Sequence, residues 1–355
     1  MLDVYAGSRA LHQLKIEGFK PEQFGTVLGA SGGPKWFVLA GIDRVMVSEF
    51  LAGTEETIDF VGSSAGAFRF GCLTQKDPVA AINSLAKHYS ETVYSDKPTV
   101  AEISEKAVRL INTILPESAQ HEVLTNPNRK AHFIVARCKN AVAYENQALQ
   151  MLGLGLSAGA NIFSRRLLNL FYERFVFSVP DRKLQFNDPS HLETAVVNLS
   201  KNNLIDALLA SGAIPGILKG IENIKGAAPG MYRDGGVTDY HFDLNFTQGN
   251  KLVLFPHFYS RPIPGWFDKS LKWRHPHRTS FENVVMVVPS EEFIASLPYC
   301  KIPDRHDFTK MTAEQRLPYW KTVLSETDRL GEAFMELTNH SKLMEVIKPL
   351  PFKTS

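Results

Sequence analysis

The sequence predicts an α/β fold of three layers (α/β/α), in which a mainly parallel sheet is covered by helices. Short apolar segments rich in β-branched residues alternate with segments of helical periodicity, as in chains built from βαβ units. Two glycine-rich loops also follow predicted strands directly, at the strand ends where such sheets carry their sites. We predict strands at residues 26–29, 57–61, 132–137, 194–199, 252–255 and 284–288.

The first glycine-rich loop, residues 29–36 (GASGGPKW), leads from a strand into a helical pattern at residues 34–51. Pro34 suits the first turn of a helix, where its missing N–H group costs nothing. The loop N–H groups then lie at a helix N-terminus, which attracts an anion. They can form a phosphate site, an oxyanion hole with Gly32 and Gly33 as donors, or a tight turn without chemistry. The phosphate-loop motif fails, because a proline precedes the lysine and a tryptophan follows it.

The second loop, residues 62–66 (GSSAG), has the G-x-S-x-G pattern. It follows the predicted strand at 57–61 and precedes a segment that can continue as a helix. A strand, a sharp turn with small neighbours and a helix are the context that a nucleophile elbow requires. The flanking glycines allow the tight turn and leave room for a substrate. Ser64 is therefore a candidate acyl-transfer nucleophile.

The same pattern occurs again at residues 155–159, which makes Ser157 a second candidate. Residues 140–151, which precede it, are rich in Ala, Gln, Glu, Leu and Met and favour helix rather than strand. The second match therefore lacks the strand-then-turn context. An overlapping G-x-G-x-x-A match at residues 153–158 lacks a preceding strand as well, so we reject it as a dinucleotide-binding fingerprint.

The third candidate, Asp234, precedes two glycines in residues 231–236 (MYRDGG). A carboxylate there lies on a turn, where it can accept the proton of a serine hydroxyl directly or through a histidine. The alternative is an ordinary Asp-Gly turn. Residues 210–215 (ASGAIP) end the helical pattern of residues 204–209, and we interpret them as a helix stop and a buried turn rather than as chemistry.

Four segments occur in the order, and at roughly the spacing, of motifs in a known family. The chain resembles the patatin-like phospholipases through residues 29–35, 62–66, 210–215 and 234–236. The resemblance covers residues 24–240 approximately. The first loop departs from the family at Ser31 and Trp36, which stand where the family usually has the first and last glycines of the loop.

This resemblance implies a patatin-like fold and a serine lipid acyl hydrolase that uses a Ser–Asp dyad without histidine. It implies that Ser64 is the nucleophile and Asp234 its base. It also implies that Gly32 and Gly33 form the oxyanion hole, and that Lys35 occupies the family's basic position as a substrate-binding residue. No cofactor or metal is implied.

The resemblance further implies one patatin-like domain over residues 1–355, with a core at about 24–290. We expect helical insertions near 77–115, with two helices, and near 140–178, with a long apolar helical stretch. The second insertion is a cap over an acyl-chain pocket, a membrane contact or, more simply, a helix pair packed on the core. Residues 291–355 are expected to form a helical extension, within which residues 312–350 form one or two amphipathic helices of structural role.

The amino-acid composition limits the classes of binding partner and the cellular compartment that we expect for this chain. The chain has 39 basic and 37 acidic residues and no nucleic-acid-binding motif, so we expect no nucleic-acid partner. Its three isolated cysteines fit a reducing compartment and form no metal pattern. Without a signal peptide or a transmembrane pattern, we expect a cytoplasmic protein whose membrane contact is at most peripheral. One basic run with a tryptophan, residues 269–278, suits an anionic lipid surface or is simply a solvated loop.

The leading functional hypothesis is a serine hydrolase that cleaves lipid or other acyl esters through an acyl-enzyme. An acyltransferase or a thioesterase with the same dyad is the alternative within this chemistry. A catalytically silent lipid-binding protein is the alternative outside it. A Ser–Asp–His triad is a further alternative, because histidines follow Asp234 in the chain, among them His241, His257, His275, His277 and His306.

Overall fold

A computed structural model describes residues 1–354 of the chain. Within this range, eleven strands form one central sheet and two others, β6 and β10, form a small antiparallel ribbon. The strands are β1 Leu2–Ala6, β2 Phe24–Gly29, β3 Ile58–Ser63, β4 Arg129–Cys138, β5 Tyr172–Ser178, β6 Phe186–Asn187, β7 Thr194–Asn198, β8 Ile221–Glu222, β9 Met231–Asp234, β10 Asn245–Phe246, β11 Leu252–Pro256, β12 Val284–Pro289 and β13 Ile347–Pro349.

The central sheet has the order β13-β1-β12-β11-β2-β3-β4-β5-β7, and β9 pairs with both β4 and β8. Strands β12, β11, β2, β3 and β4 are parallel neighbours. Every residue of β2, β3, β11 and β12 is buried, as expected for parallel strands covered on both faces. Antiparallel pairs occur where β1 joins β12 and where β4 meets β5 and β9.

Helices flank this sheet, in an arrangement consistent with three α/β/α layers. The α-helices are α1 Ser8–Glu17, α2 Ala40–Val45, α3 Ala65–Leu73, α4 Pro78–Ser90, α5 Val100–Ile114, α6 Glu117–Thr125, α7 Gln147–Phe163, α8 Leu204–Ser211, α9 Arg278–Phe281, α10 Glu291–Ser296, α11 Asp307–Lys310, α12 Ala313–Glu326, α13 Asp328–Glu336 and α14 His340–Val346. Among residues 1–354, each helix is too short or too polar to cross a bilayer.

The predicted α/β class with a mainly parallel sheet is confirmed, and all six predicted strands are present, as β2, β3, β4, β7, β11 and β12. The two helices predicted within residues 77–115 are present as α4 and α5. The helical pattern at residues 34–51 is present but irregular, with a 3-10 segment Gly33–Leu39 before α2 and a π-helical turn Met46–Phe50 after it.

The prediction of a helical stretch over residues 140–178 is wrong at its C-terminal end. Helix α7 is followed by the 3-10 segment Arg165–Leu170 and then by strand β5. The charged pair Glu173 and Arg174 makes this segment look amphipathic in the sequence. In the fold, Arg174 lies on a strand and is fully buried. Its burial is possible because Asp239 and Asp188 form ion pairs with it and neutralise its charge.

The C-terminal region also differs from its prediction. It contains three helices near the end of the chain, α12, α13 and α14, where one or two were expected. They are followed by β13, which pairs in parallel with β1 and adds an edge strand to the sheet. The sheet therefore includes strands from both ends of the chain.

Candidate active site

Ser64 lies at a sharp turn between β3 and α3. Its backbone has φ 54° and ψ −122°, a conformation that residues other than glycine rarely adopt. Gly66 permits the turn to approach the end of β2, because a Cβ atom at Gly66 would lie 1.8 Å from the carbonyl oxygen of Gly29. The strand, strained turn and helix match the elbow geometry expected from the sequence pattern.

The hydroxyl of Ser64 donates a hydrogen bond to Oδ2 of Asp234, with an Oγ–Oδ2 distance of 2.7 Å. Strand β4 brings these distant residues together, since β3 and β9 pair with consecutive stretches of the same edge of β4, opposite the edge that pairs with β5. Ser63 is in register with Ile134, and Asp234 is in register with the next residue, Val135. The ends of β3 and β9 therefore meet at adjacent positions of one strand.

Asp234 is 6% exposed, and burial of its carboxylate raises the pKa to about 6. The hydrogen bonds from the Ser64 hydroxyl and from the N–H of Gly236, the latter 2.7 Å from Oδ1, act in the opposite direction and favour the charged form. Asp234 is consequently ionised at neutral pH, and its pKa is close enough to 7 for efficient proton transfer.

A turn after α8 supports both residues. The N–H of Ser64 donates a hydrogen bond to Oγ of Ser211 at 2.9 Å, and this hydroxyl in turn donates to the carbonyl oxygen of Ile134 at 2.8 Å. The N–H of Asp234 donates to the carbonyl oxygen of Ala213 at 3.1 Å. The sequence interpretation of residues 210–215 as a helix stop is confirmed by α8, but it missed this supporting role.

Gly32 and Gly33 line the same small cavity as Ser64 and Asp234, at the start of the 3-10 segment that leads into α2. Gly33 has φ +56°, which favours glycine, and a Cβ atom at Gly32 would lie 2.6 Å from the ring of Phe258. Their placement beside Ser64 at a helical N-terminus suits the stabilisation of negative charge near the serine.

Lys35 lines the cavity and forms an ion pair with Asp304. Trp36, one of the two departures from the family loop, is buried in the core against Phe37. Ser31, the other departure, donates a hydrogen bond to the hydroxyl of Ser63 at 3.0 Å, next to the elbow.

Residues far along the chain complete the cavity, and sequence analysis did not foresee them. Lys269 comes from the basic run at residues 269–278, and Asp304, Arg305 and His306 come from the C-terminal region. Desolvation by burial, together with the positive charges of Arg305 and Lys35, lowers the pKa of Lys269 to about 8. The cavity has a volume of about 90 Å³ and is rich in positive charge around Ser64.

None of residues 140–178 lines this cavity, so α7 is not the wall of an acyl-chain pocket there. Ser157 lies within α7, is fully buried and donates a hydrogen bond to the carbonyl oxygen of Gly153 at 2.7 Å. The second G-x-S-x-G match is therefore helical and does not form an elbow.

Within residues 1–354, no imidazole forms a hydrogen bond with the Ser64 hydroxyl. His306 lines the cavity but is mostly exposed. His241 and His257 are buried against each other, with ring centroids 4.4 Å apart, and burial lowers both their pKa values. His277 hydrogen bonds to Asp243, away from the cavity. The arrangement resembles a Ser–Asp pair rather than a triad.

The described residues, 1–354, contain no group of three or more His, Cys, Asp or Glu side chains placed to hold a metal ion. Comparison with models of known protein families gives no match for this chain, and a search of curated proteins gives no match either.

Proposed function

We propose that this chain is a serine hydrolase of the patatin-like type that cleaves acyl esters of lipids through Ser64 and Asp234. The observation that carries the proposal is the 2.7 Å hydrogen bond between the Ser64 hydroxyl and Asp234 at a strained elbow. A buried carboxylate that accepts the proton of a serine hydroxyl is the arrangement that activates a nucleophile.

In the proposed reaction, Ser64 Oγ attacks the ester carbonyl while its proton passes to Asp234. The carbonyl oxygen becomes negatively charged, and the N–H groups of Gly32 and Gly33 stabilise it; the loss of one such donor typically costs about 3 kcal/mol in the barrier. The tetrahedral intermediate then collapses, and the leaving alcohol takes the proton from Asp234. Water, deprotonated by Asp234, attacks the acyl-enzyme and releases the fatty acid with regeneration of Ser64.

The charge around the cavity supports an ester with an anionic group. Lys35, Lys269 and Arg305 line the cavity, whereas its acidic residues are Asp234 and Asp304. A phosphate on the alcohol side of the ester, as in a phospholipid, would complement this excess of positive charge. An acyltransferase or a thioesterase would use the same dyad with a different acceptor or donor. A silent lipid-binding protein would have no need for a strained serine hydrogen bonded to a buried carboxylate.

The direct test compares hydrolysis of p-nitrophenyl butyrate by the wild-type protein and by three variants. Ser64→Ala and Asp234→Asn should each lower kcat/KM by roughly 10⁴-fold, because residues that act as one unit lose nearly the whole effect singly. Ser157→Ala, the matched control at the other G-x-S-x-G pattern, should retain activity. Full activity in Ser64→Ala would refute the proposal.

A further inference from the structure

Helix α7 has its polarity inverted. Its 17 residues include no Asp, Glu, Lys or Arg. The residues that face the protein are small or polar: Gln150, Gly153, Ser157 and Asn161. Six of its exposed residues are large and apolar: Leu149, Met151, Leu152, Leu156, Ile162 and Phe163, which we call the apolar face. Phe163 is 85% exposed. A surface helix in water normally has the opposite arrangement, so this face is built to contact something other than water.

A basic loop lies beside this helix. Arg274 donates hydrogen bonds to the carbonyl oxygens of Asn161 and Ile162 at the end of α7. The neighbouring Trp273 is 58% exposed, and it shares one shallow groove with Arg166. The run at residues 269–278 has four Lys or Arg residues and no acidic residue. Arg166 and Lys272 are exposed, and neither forms an ion pair with another of residues 1–354.

The apolar face is also joined to the candidate active site. Asn161 donates a hydrogen bond to Asp268 at 2.6 Å, and Arg165 forms a buried ion pair with the same carboxylate at 2.6 Å. The next residue after Asp268, Lys269, lines the cavity that contains Ser64. The segment that anchors α7 to the body of the protein therefore also forms part of the cavity wall.

We propose that the apolar face, Trp273 and the cations Arg166 and Lys272 form a docking surface for a bilayer that contains anionic lipids. Large apolar side chains enter the acyl boundary, tryptophan suits the interface, and lysine and arginine meet the negative headgroups. This charge complementarity selects an anionic membrane as the occupant. The purpose of the surface rests on the proposed function, because docking brings membrane lipids to the rim of the Ser64 cavity.

The test is co-sedimentation with vesicles, which requires no catalysis. Wild-type protein should bind vesicles of phosphatidylcholine and phosphatidylglycerol in equal parts more tightly than vesicles of phosphatidylcholine alone, and salt should weaken this binding. The double variant Leu156→Ser/Phe163→Ser should bind at least about tenfold more weakly, because it removes buried apolar area. Arg166→Gln and Lys272→Gln should each lower the affinity about fivefold on anionic vesicles.

Ile16→Ser is the matched control, since Ile16 is 67% exposed on α1, which packs at the other end of the sheet against β1 and β13. It should bind vesicles like the wild type. All surface variants should hydrolyse the soluble ester p-nitrophenyl acetate at the wild-type rate, which also shows that they are folded. Vesicle binding without any ester hydrolysis would support the docking surface while refuting the proposed function.

Three results would overturn the docking proposal. One is a wild-type protein that does not sediment with anionic vesicles, and another is equal binding by the wild type and the Leu156→Ser/Phe163→Ser variant. The third is a wild-type dimer in light scattering that this variant converts to a monomer, because the apolar face would then contact a second copy of the chain.

Discussion

The backbone N–H of Ser64 donates a hydrogen bond to the side-chain oxygen of Ser211, 147 residues further along the chain. Both groups are buried, and the Ser211 hydroxyl is itself fixed by the carbonyl oxygen of Ile134 on β4. The Ser211 side chain thus fixes the backbone of the elbow through a hydrogen bond, although it contacts no reacting atom. Ser211 is therefore a positioning residue, and its effect should be separable from that of Ser64.

Replacing Ser211 with alanine leaves the buried N–H of Ser64 without a partner. We expect a loss of about 1–3 kcal/mol in the free energy of unfolding. We also expect kcat to fall by about tenfold to a hundredfold with little change in KM, because small displacements of a nucleophile are costly. Urea unfolding and steady-state kinetics measure the two effects. Ser157→Ala, which also removes a buried serine hydroxyl, should leave kcat unchanged; an equal loss of kcat in both variants would contradict the positioning role.

The pH dependence should follow Asp234. Its pKa of about 6 means that the carboxylate becomes protonated below this pH and then cannot accept the proton of Ser64. We therefore expect kcat/KM to be level above about pH 7 and to fall about tenfold per pH unit below 6. A histidine base would produce a similar profile, so variants decide between them. His306→Asn, a change at a histidine that lines the cavity, should preserve the rate and the profile; a loss of activity in this variant without unfolding would favour a triad.

Ionisation of the buried Asp234 should also lower the free energy of unfolding. Burial raises the pKa of Asp234 from 3.8 to about 6, so the folded protein binds more protons than the unfolded chain between these pH values. Stability from this group is then lost as the pH rises through that window, up to about 3 kcal/mol. The Asp234→Asn variant cannot ionise at this position. Its stability relative to the wild type should therefore increase from about pH 4 to about pH 7 and then stay constant.

Urea unfolding of the wild type and the Asp234→Asn variant across this pH range tests the prediction. The measured quantity is the difference between their free energies of unfolding at each pH, which cancels the titration of all other groups that the two proteins share. A difference that does not change with pH would show that the carboxylate is not desolvated in the folded state.

The size of the cavity sets an expectation for acyl chains. A cavity of about 90 Å³ is small beside the roughly 300–1,000 Å³ of pockets that enclose drug-sized ligands, so only a short acyl segment fits inside it. Each buried CH₂ group contributes about 0.8 kcal/mol, or about fourfold in kcat/KM. On monomeric p-nitrophenyl esters, kcat/KM should therefore rise from acetate to about butyrate or valerate and then level off. A continued rise to long chains would require a deeper pocket, and a fall from acetate onwards would contradict an apolar acyl substrate.

Much of the sheet can be predicted because it depends on local signals. Strands β2, β3, β11 and β12 are buried along their whole length, and their uninterrupted apolar runs show this in the sequence. The elbow at Ser64 is likewise visible, because a G-x-S-x-G pattern after a strand constrains the backbone locally. Asp234 stands out through its two glycines and the family resemblance, and the structure places it against Ser64.

What could not be predicted depends on partners far along the chain. The sequence favours a helix where β5 forms. The strand could not be foreseen, because Arg174 is buried there only through its ion pair with Asp239, which is a tertiary contact. The role of Ser211 in holding the Ser64 turn depends on the folded sheet, because the Ser211 hydroxyl hydrogen bonds to the carbonyl oxygen of Ile134 on β4. The sequence also does not separate the two faces of helix α7, and its inverted polarity becomes visible only when its buried face is known.

The most direct test of the central claim is labelling with a fluorophosphonate, followed by mass spectrometry of the modified peptide. Such a probe reacts with a serine only when a neighbouring base activates its hydroxyl. We expect one modified residue, Ser64, with labelling strongly slowed by Asp234→Asn and unaffected by Ser157→Ala. Labelling at Ser157, or no labelling of the folded protein at any serine, would contradict the claim.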